Sequence, residues 1–208
     1  MAVALIILAA GQGTRMNSDL PKVMHKLAGA PRLVHAMQAG WALEPERVIV
    51  VAGHGAELVE KAARAHDDRA EIALQDRQLG TGHAVAQALP LLEGHEGRVI
   101  VLFGDTPFIR AETLEKLRDS AADVTVLGFH AADPDRYGRL ITEGERLTGI
   151  VEYKDATVAE RAITLCNSGV LAADYALLAD LVGQLSNDNA AGEYYLTDVV
   201  GLAADARL

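Results

Sequence analysis

The chain has 208 residues, half of them apolar and 23% charged, which is typical of one folded domain with a substantial core. Its formal net charge is −10, which argues against a general nucleic-acid surface and against attraction to anionic lipid. The single cysteine, Cys166, leaves no internal disulfide and is expected to be a core thiol, so a reducing, cytoplasmic location is predicted. No apolar run approaches the ~20 residues of a membrane-spanning helix, and the apolar start at 3–10 indicates a buried strand.

Short apolar runs alternate with amphipathic stretches over the first 121 residues. The runs predict strands at residues 3–8, 47–51, 72–74 and 98–103. The stretches place apolar residues near i, i+3, i+4 spacing and predict helices at residues 32–43, 57–66 and 83–92. Continuously apolar strands indicate a sheet covered on both faces, so we predict an α/β fold with a doubly wound, mostly parallel, Rossmann-like sheet. Such sheets bind ligands at the carboxyl ends of their strands.

The pattern changes after about residue 122. Strands with short connections are predicted at residues 124–129, 138–142 and 147–153, followed by a helix near 175–185. This half is therefore expected to be mixed. We predict one domain over 1–208, with a nucleotide-facing half at about 1–121 and a substrate-facing half at about 122–208.

A glycine-rich loop follows the first strand, with the sequence LAAGQGTRM at positions 8–16. Small residues let backbone N–H groups approach phosphate oxygens, and the Arg15 guanidinium could donate two hydrogen bonds to a phosphate. A dinucleotide-binding loop needs a third glycine where Met16 stands, and a Walker loop needs Gly-Lys-Ser/Thr. Neither pattern is present. The alternative is a tight strand-to-helix turn with no ligand.

Basic residues favour the anion-binding interpretation of this loop. The segment 11–32 holds four basic residues, Arg15, Lys22, Lys26 and Arg32, against one acidic residue, Asp19. Pro21 restricts the backbone immediately before Lys22. A local cationic patch in an acidic chain is what an anionic substrate would require, although a solvated surface segment fits the same residues.

At these residues the sequence resembles the sugar nucleotidyltransferases. The glycine-rich loop followed by SDLPKV at 18–23 is similar to the bacterial N-acetylglucosamine-1-phosphate uridyltransferases in particular. Further matching segments are LQDRQLGTGH at 74–83, FGDTP at 103–107, YGR at 137–139, IVEYKD at 150–155, NSGV at 167–170 and EYYLTD at 193–198. The resemblance implies the fold of the nucleotide-diphospho-sugar transferases.

The resemblance also implies a reaction between UTP and N-acetylglucosamine 1-phosphate that yields UDP-N-acetylglucosamine and pyrophosphate. The attacking sugar phosphate is largely ionised at neutral pH, so no general base is required. Catalysis then consists of aligning two anions and screening their repulsion. By resemblance, Arg15 and Lys22 are the catalytic residues, and the implied nucleotide-binding residues are Leu8, Ala9, Ala10, Gly11, Gly13, Thr14, Arg15, Lys22, Gln75, Gly80 and Thr81.

Asp105 follows an apolar strand at the edge where such sheets bind ligands, and the resemblance implies that it is the magnesium ligand. Mg²⁺ prefers few protein oxygens together with substrate phosphates and water. The alternative is an N-cap or Asx turn before Pro107. By resemblance, Gln75, Gly80 and Thr81 select uracil, and Thr81 also suits a cap for the helix beginning at Gly82.

The implied sugar-binding residues are Phe103, Gly104, Gly138, Glu152 and Asn167. Glutamate and asparagine suit a neutral polyol, although each is more often a surface or turn residue. Position 103 is phenylalanine where the family often has tyrosine, which removes one hydroxyl. The sequence does not indicate whether the protein self-associates.

The implied family has a β-helix acetyltransferase domain and an asparagine from a later strand. No hexapeptide repeat occurs in these 208 residues, so no β-helix domain is expected. His25, His54 and His83 fit no zinc spacing and are interpreted as polar loop residues, with helix capping or packing as the alternative for His83. Two other functions stay open: a binding module with little turnover, and a nucleotidyltransferase for another base or sugar.

Overall fold

The computed structural model describes residues 2–13 and 18–207. The strands are β1 Ala2–Ala9, β2 Lys26–Leu27, β3 Ala30–Pro31, β4 Arg47–Ala52, β5 Glu71–Leu74, β6 Gly97–Phe103, β7 Val124–His130, β8 Arg139–Glu143, β9 Arg146–Val151 and β10 Leu165–Asp174. The α-helices are α1 Arg32–Trp41, α2 Ala56–His66, α3 Thr81–Ala88, α4 Ala111–Arg118, α5 Val158–Arg161, α6 Tyr175–Gly183 and α7 Asp198–Asp205. Short 3₁₀ helices occupy Lys22–Met24 and Leu89–Leu92.

A sheet of eight strands forms the centre of the molecule, in the order β5-β4-β1-β6-β10-β8-β9 with β7 also paired to β10. Strand β1 runs parallel to β4 and β6, and β4 runs parallel to β5. Strand β10 is antiparallel to β6, β7 and β8, and β8 and β9 form an antiparallel pair. The predicted parallel first half and mixed second half are confirmed.

Helices cover both faces of this sheet. The even-numbered residues from Ala4 to Leu8 belong to a core that includes residues of α3, α6 and α7. The odd-numbered residues from Val3 to Ala9 belong to a second core with residues of α1, α2 and α4. Because β1 is buried on both faces, its apolar run is continuous rather than alternating. The predicted doubly wound α/β fold is therefore confirmed, and Cys166 is buried as expected.

Some element boundaries differ from the prediction. The helix predicted at 83–92 begins at Thr81 and changes to a 3₁₀ turn at Leu89, next to Pro90, a residue that cannot donate within a helix. The strand predicted at 147–153 ends at Val151, because the Glu152 carbonyl accepts backbone hydrogen bonds that form a turn. Strands β2, β3 and β10 and helices α4, α5 and α7 were not predicted. Within the described residues, no helix combines the length and apolar character needed to cross a membrane.

Candidate active site

Two adjoining cavities open where β1, β5 and β6 end. The carboxyl ends of these strands meet at one edge of the sheet, which is the usual ligand site of such folds. The first cavity has a volume of about 360 Å³ and is lined by Leu8, Ala10, Gly11, Gly13, Lys22, Val23, Gln75, Gln78, Gly80, Thr81, Ala84, Phe103, Asp105 and Glu193. The second has a volume of about 250 Å³ and is lined by Thr81, Phe103, Val126, Ile150, Glu152, Asn167, Gly169, Leu171, Glu193, Tyr195, Leu196 and Thr197. Three residues line both cavities: Thr81, Phe103 and Glu193.

The glycine-rich loop after β1 forms one wall of the first cavity. Gly13 has a φ of +65°, and a Cβ built there would lie 2.7 Å from Cβ of Lys22. Any other residue would push Lys22 away, so glycine is what allows the lysine to lie against the loop. The structure therefore places Lys22 beside the glycine-rich loop at the first cavity, where the sequence predicted a cationic patch.

Lys22 also reaches across the cavity to Asp105. It begins a 3₁₀ turn directly after Pro21, and its ammonium forms an ion pair with the Asp105 carboxylate. The Lys22 side chain is 38% exposed and that of Asp105 only 20%. Helix α4 begins at Ala111 with Arg110 as its N-cap, so Asp105 does not cap this helix.

The carboxylate of Asp105 is the only predicted metal ligand, and the donor set around it is sparse. Among residues 2–13 and 18–207, no group of three or more His, Cys, Asp or Glu side chains is arranged to hold a metal ion. Mg²⁺ commonly binds through one or two carboxylates and completes its shell with water and substrate phosphates. The site therefore fits magnesium only together with oxygens that a phosphate substrate supplies.

Gln75 lies at the end of β5 and is only 3% exposed. Its side-chain nitrogen lies 3.0 Å from the carbonyl oxygen of Gly80 and 3.0 Å from Nδ1 of His83. The Gly80 carbonyl accepts one amide hydrogen, and Nδ1 of His83 accepts the other when the ring carries its own hydrogen on Nε2. The amide oxygen has no hydrogen-bond partner among the described residues and is left for a ligand in the first cavity.

The turn that carries Gly80 and Thr81 is tied to a distant segment. The Thr81 hydroxyl oxygen accepts a hydrogen bond of 2.9 Å from the Leu196 N–H. Helix α3 begins at Thr81, its N-cap is Gly80, and no side chain caps it, so the predicted capping role of Thr81 is wrong. The hydroxyl instead fixes the wall that the two cavities share.

Acidic and polar side chains line the second cavity. Glu152 accepts a hydrogen bond of 3.1 Å from the Thr197 hydroxyl. Burial raises the pKa of the Glu152 carboxyl, and the nearby carboxylates of Asp198, Asp155 and Glu193 act in the same direction, whereas the Thr197 hydrogen bond opposes them. These groups give the second cavity a negative potential that suits hydroxyl groups better than additional anions.

Tyr195 contributes a second polar group to this cavity. Burial and the neighbouring carboxylates raise the pKa of its phenol to about 12, so the hydroxyl stays protonated at neutral pH and can donate a hydrogen bond. Asn167 accepts a hydrogen bond of 2.9 Å from the Gly169 N–H through Oδ1. Its side-chain NH₂ has no acceptor among the described residues, so it can donate to a ligand.

Several predicted residues lie beside the cavities without lining them. Ala9 belongs to the core on the other face of the sheet. The Gly104 N–H donates a hydrogen bond of 2.9 Å to the Leu8 carbonyl and joins the ends of β1 and β6. The Gly138 carbonyl accepts a hydrogen bond of 2.9 Å from the Asn167 N–H. Two further predicted residues, Thr14 and Arg15, lie outside the described residues, so their predicted roles stay predictions.

Sequence reasoning did not assign four polar residues that line the cavities: Gln78, Glu193, Tyr195 and Thr197. The segment 193–198 was singled out only as a matching motif. Its position along both cavities depends on contacts with residues more than 100 positions earlier, such as the bond from Leu196 to Thr81. The spacing of residues within this segment does not indicate a contact with such distant residues.

Comparisons with known proteins agree with this geometry. Residues 5–188 match the family model described as the MobA-like NTP transferase domain. The bifunctional protein GlmU of Cereibacter sphaeroides is 66% identical over 203 residues, which are 97% of this chain and 45% of that protein. The bifunctional protein GlmU of Roseobacter denitrificans is 63% identical over 205 residues, which are 98% of this chain and 46% of that protein. This chain therefore spans just under half the length of these relatives.

A solved structure has the same fold. UDP-glucose pyrophosphorylase, determined in complex with UDP-glucose, superposes with a TM-score of 0.78 at 18% identity, covering 99% of this chain and 88% of that one. At this identity the likeness extends to the fold alone.

Proposed function

This chain belongs to the MobA-like NTP transferase domain family, and we propose that it transfers a uridylyl group from UTP to N-acetylglucosamine 1-phosphate. The products would be UDP-N-acetylglucosamine and pyrophosphate. The observation that carries the proposal is the pair of adjoining cavities with a common wall of Thr81, Phe103 and Glu193. Such a pair suits two substrates that must meet, and the high identity to GlmU proteins supports this choice of substrates.

The first cavity suits a uracil nucleotide. The free oxygen of the Gln75 amide can accept the N3–H of uracil, and the Gly80 N–H, which bonds no described residue, can donate to a uracil carbonyl oxygen. Cytosine presents a lone pair at N3 and an amino group beside it. The Gln75 oxygen is therefore matched to the N3–H of uracil and mismatched to the N3 lone pair of cytosine.

The reacting phosphates would lie between the base site and the second cavity. A phosphate oxygen of the sugar phosphate forms a bond to the α-phosphorus of UTP, and the bond from that phosphorus to the oxygen of the β-phosphate breaks, releasing pyrophosphate. We propose that Lys22 screens the repulsion between the two anions, helped by Arg15. Because the attacking phosphate is already ionised, no side chain must remove a proton.

Asp105 would hold magnesium together with phosphate oxygens. When bound, the ion supplies positive charge that neutralises the phosphates in the transition state. The ion pair with Lys22 keeps the carboxylate at the cavity edge, facing the glycine-rich loop. The proposed role of Asp105 is therefore to hold a cation at the end of β6, beside the glycine-rich loop.

The second cavity would bind the amino-sugar part of the sugar phosphate, with its phosphate group at the boundary with the first cavity. Glu152 can accept hydrogen bonds from sugar hydroxyls, whereas the Asn167 NH₂ can donate to a hydroxyl or an acyl oxygen. Phe103 lines both cavities and can pack against the sugar or the base. We propose that residues 1–121 mainly bind the nucleotide and that the following half mainly binds the sugar, within one domain.

Release of pyrophosphate from a panel of substrates tests this function. UTP, CTP, ATP and GTP are each combined with N-acetylglucosamine 1-phosphate or glucose 1-phosphate, with magnesium or with a chelator. We expect the highest kcat/KM for UTP with N-acetylglucosamine 1-phosphate and no release in the chelator. A different preferred pair would overturn the proposed substrates, and UTP binding without any release would indicate a binding module.

A further inference from the structure

His83 lies behind the base site and lines neither cavity. It stands in the first turn of α3, half-buried, with Nδ1 3.0 Å from the side-chain nitrogen of Gln75. Its other ring nitrogen, Nε2, lies 3.4 Å from the side-chain nitrogen of Gln87, which also donates a hydrogen bond of 3.3 Å to the His83 carbonyl. The ring thus connects the base site to the second turn of the helix.

The contact between His83 and Gln75 helps to determine whether the oxygen or the nitrogen of the Gln75 amide faces the ligand. The Gly80 carbonyl can only accept, so the Gln75 nitrogen must face it. Nδ1 of His83 receives the second amide hydrogen when the ring carries its own hydrogen on Nε2. Rotating the Gln75 amide by 180° would set its oxygen against two acceptors at once. Both neighbours therefore hold the oxygen toward the cavity.

We propose that His83 is a positioning residue that fixes the Gln75 amide and so contributes to the preference for uracil over cytosine. The inference deepens the proposed function and rests on it. With the oxygen toward the ligand, Gln75 accepts from uracil N3–H. With the amide rotated, its NH₂ would instead donate to the lone pair on cytosine N3. Removing the Nδ1 acceptor removes one of the two contacts that prevent this rotation.

Two substitutions of His83 separate the acceptor from the bulk of the ring. In His83→Asn, the side-chain oxygen is the same number of bonds from the backbone as Nδ1 and can still accept from Gln75. In His83→Leu, the volume near Cγ is retained but no acceptor is present. The measured quantity is the ratio of kcat/KM for UTP to that for CTP. Because both values come from one sample, the ratio is independent of the fraction of folded protein.

We expect His83→Leu to lower this ratio by about two- to tenfold, the factor that one neutral hydrogen bond is worth, and His83→Asn to keep it near the parental value. Gln75→Ala serves as the reference and should also lower the ratio. A parental ratio in His83→Leu alongside a changed ratio in Gln75→Ala would overturn the role of His83 and leave the proposed function intact. Equal losses in the Asn and Leu variants would overturn it too, because the acceptor would then be irrelevant.

If the parental protein releases no pyrophosphate from UTP, the proposed function has failed. The role of His83 is then measured by calorimetric binding of UTP and CTP to the same proteins. A UTP-to-CTP affinity ratio that falls in His83→Leu and is retained in His83→Asn supports the positioning role, and an unchanged ratio in His83→Leu overturns it.

Discussion

Replacing Gly80 with alanine should damage both the stability and the base preference of this protein. Gly80 has φ +109° and ψ 175°, a region that is essentially restricted to glycine, so alanine there costs about 1–3 kcal/mol in backbone strain. A Cβ would also lie 2.5 Å from the carbonyl oxygen and 2.9 Å from the nitrogen of Tyr194. Relieving this overlap means moving one backbone against another, which adds about 1–3 kcal/mol, as overpacking does elsewhere.

The displaced turn would also lose its contact with Gln75, whose nitrogen bonds the Gly80 carbonyl. We therefore expect the ratio of kcat/KM for UTP over CTP to fall along with the free energy of unfolding, measured by urea denaturation. Gly94→Ala is the matched control, because Gly94 also has a positive φ, +80°, but an added Cβ would meet nothing within 4 Å. That variant should lose about 1–2 kcal/mol of stability and keep the parental ratio. Parental stability and selectivity in Gly80→Ala would refute the reasoning.

Three further substitutions test the charged groups. Asp105→Asn should lower kcat by about 100-fold or more through loss of the proposed cation site, yet change stability by only about 0–1 kcal/mol, since the pair with Lys22 is partly exposed. Rates over a magnesium titration measure this, and parental rates throughout would contradict it. Lys22→Met keeps the aliphatic stem beside the loop and should lower kcat/KM by about 100-fold without changing the UTP-to-CTP ratio, which a steady-state assay checks. Burial raises the folded-state pKa of Glu152, so folding favours the protonated carboxyl. The stability that this group contributes is fully present below the unfolded pKa of about 4.3 and is lost as the pH rises through the folded pKa. Glu152→Gln should therefore be more stable than the parent at pH 8 and nearly equal to it at pH 4 in urea denaturation; no gain at pH 8 would count against the assigned cause.

The parallel half of the fold could be predicted from sequence because its signals are local. Strands β1, β4 and β6 are unbroken apolar runs, and the observed bounds lie close to the predicted ones. Burial on both faces favours a covered, parallel sheet for such strands, and the helical stretches between them favour it further. The position of Asp105 at the end of β6 followed from the same pattern.

Strand β10 was missed because its sequence breaks the apolar pattern. The polar residues Asn167 and Ser168 and then Gly169, with φ +91°, interrupt the strand, and the register with β7 shifts between Asn167 and Leu171. The interruption is where the strand meets the second cavity. A local irregularity of this kind predicts a loop when only the sequence is considered, and the pairing with β6 and β7 is what holds it as a strand.

The segment that follows Glu193 could not be located from sequence, yet it joins the two cavities. The Tyr194 N–H donates a hydrogen bond of 2.8 Å to the Leu79 carbonyl, and the Tyr194 carbonyl accepts one of 2.8 Å from the Gly82 N–H. The Leu196 N–H donates a third, of 2.9 Å, to the Thr81 hydroxyl. The turn at Gly80 and Thr81 and one wall of the second cavity are therefore held together by these hydrogen bonds. Reaction between two bound anions depends on holding the attacking oxygen close to the phosphorus and in line with the leaving group. Because this wall is continuous from one cavity to the other, the proposed base contacts would fix the position of the nucleotide relative to the sugar phosphate. In the proposed reaction, selection of the nucleotide and alignment for transfer would then depend on the same backbone.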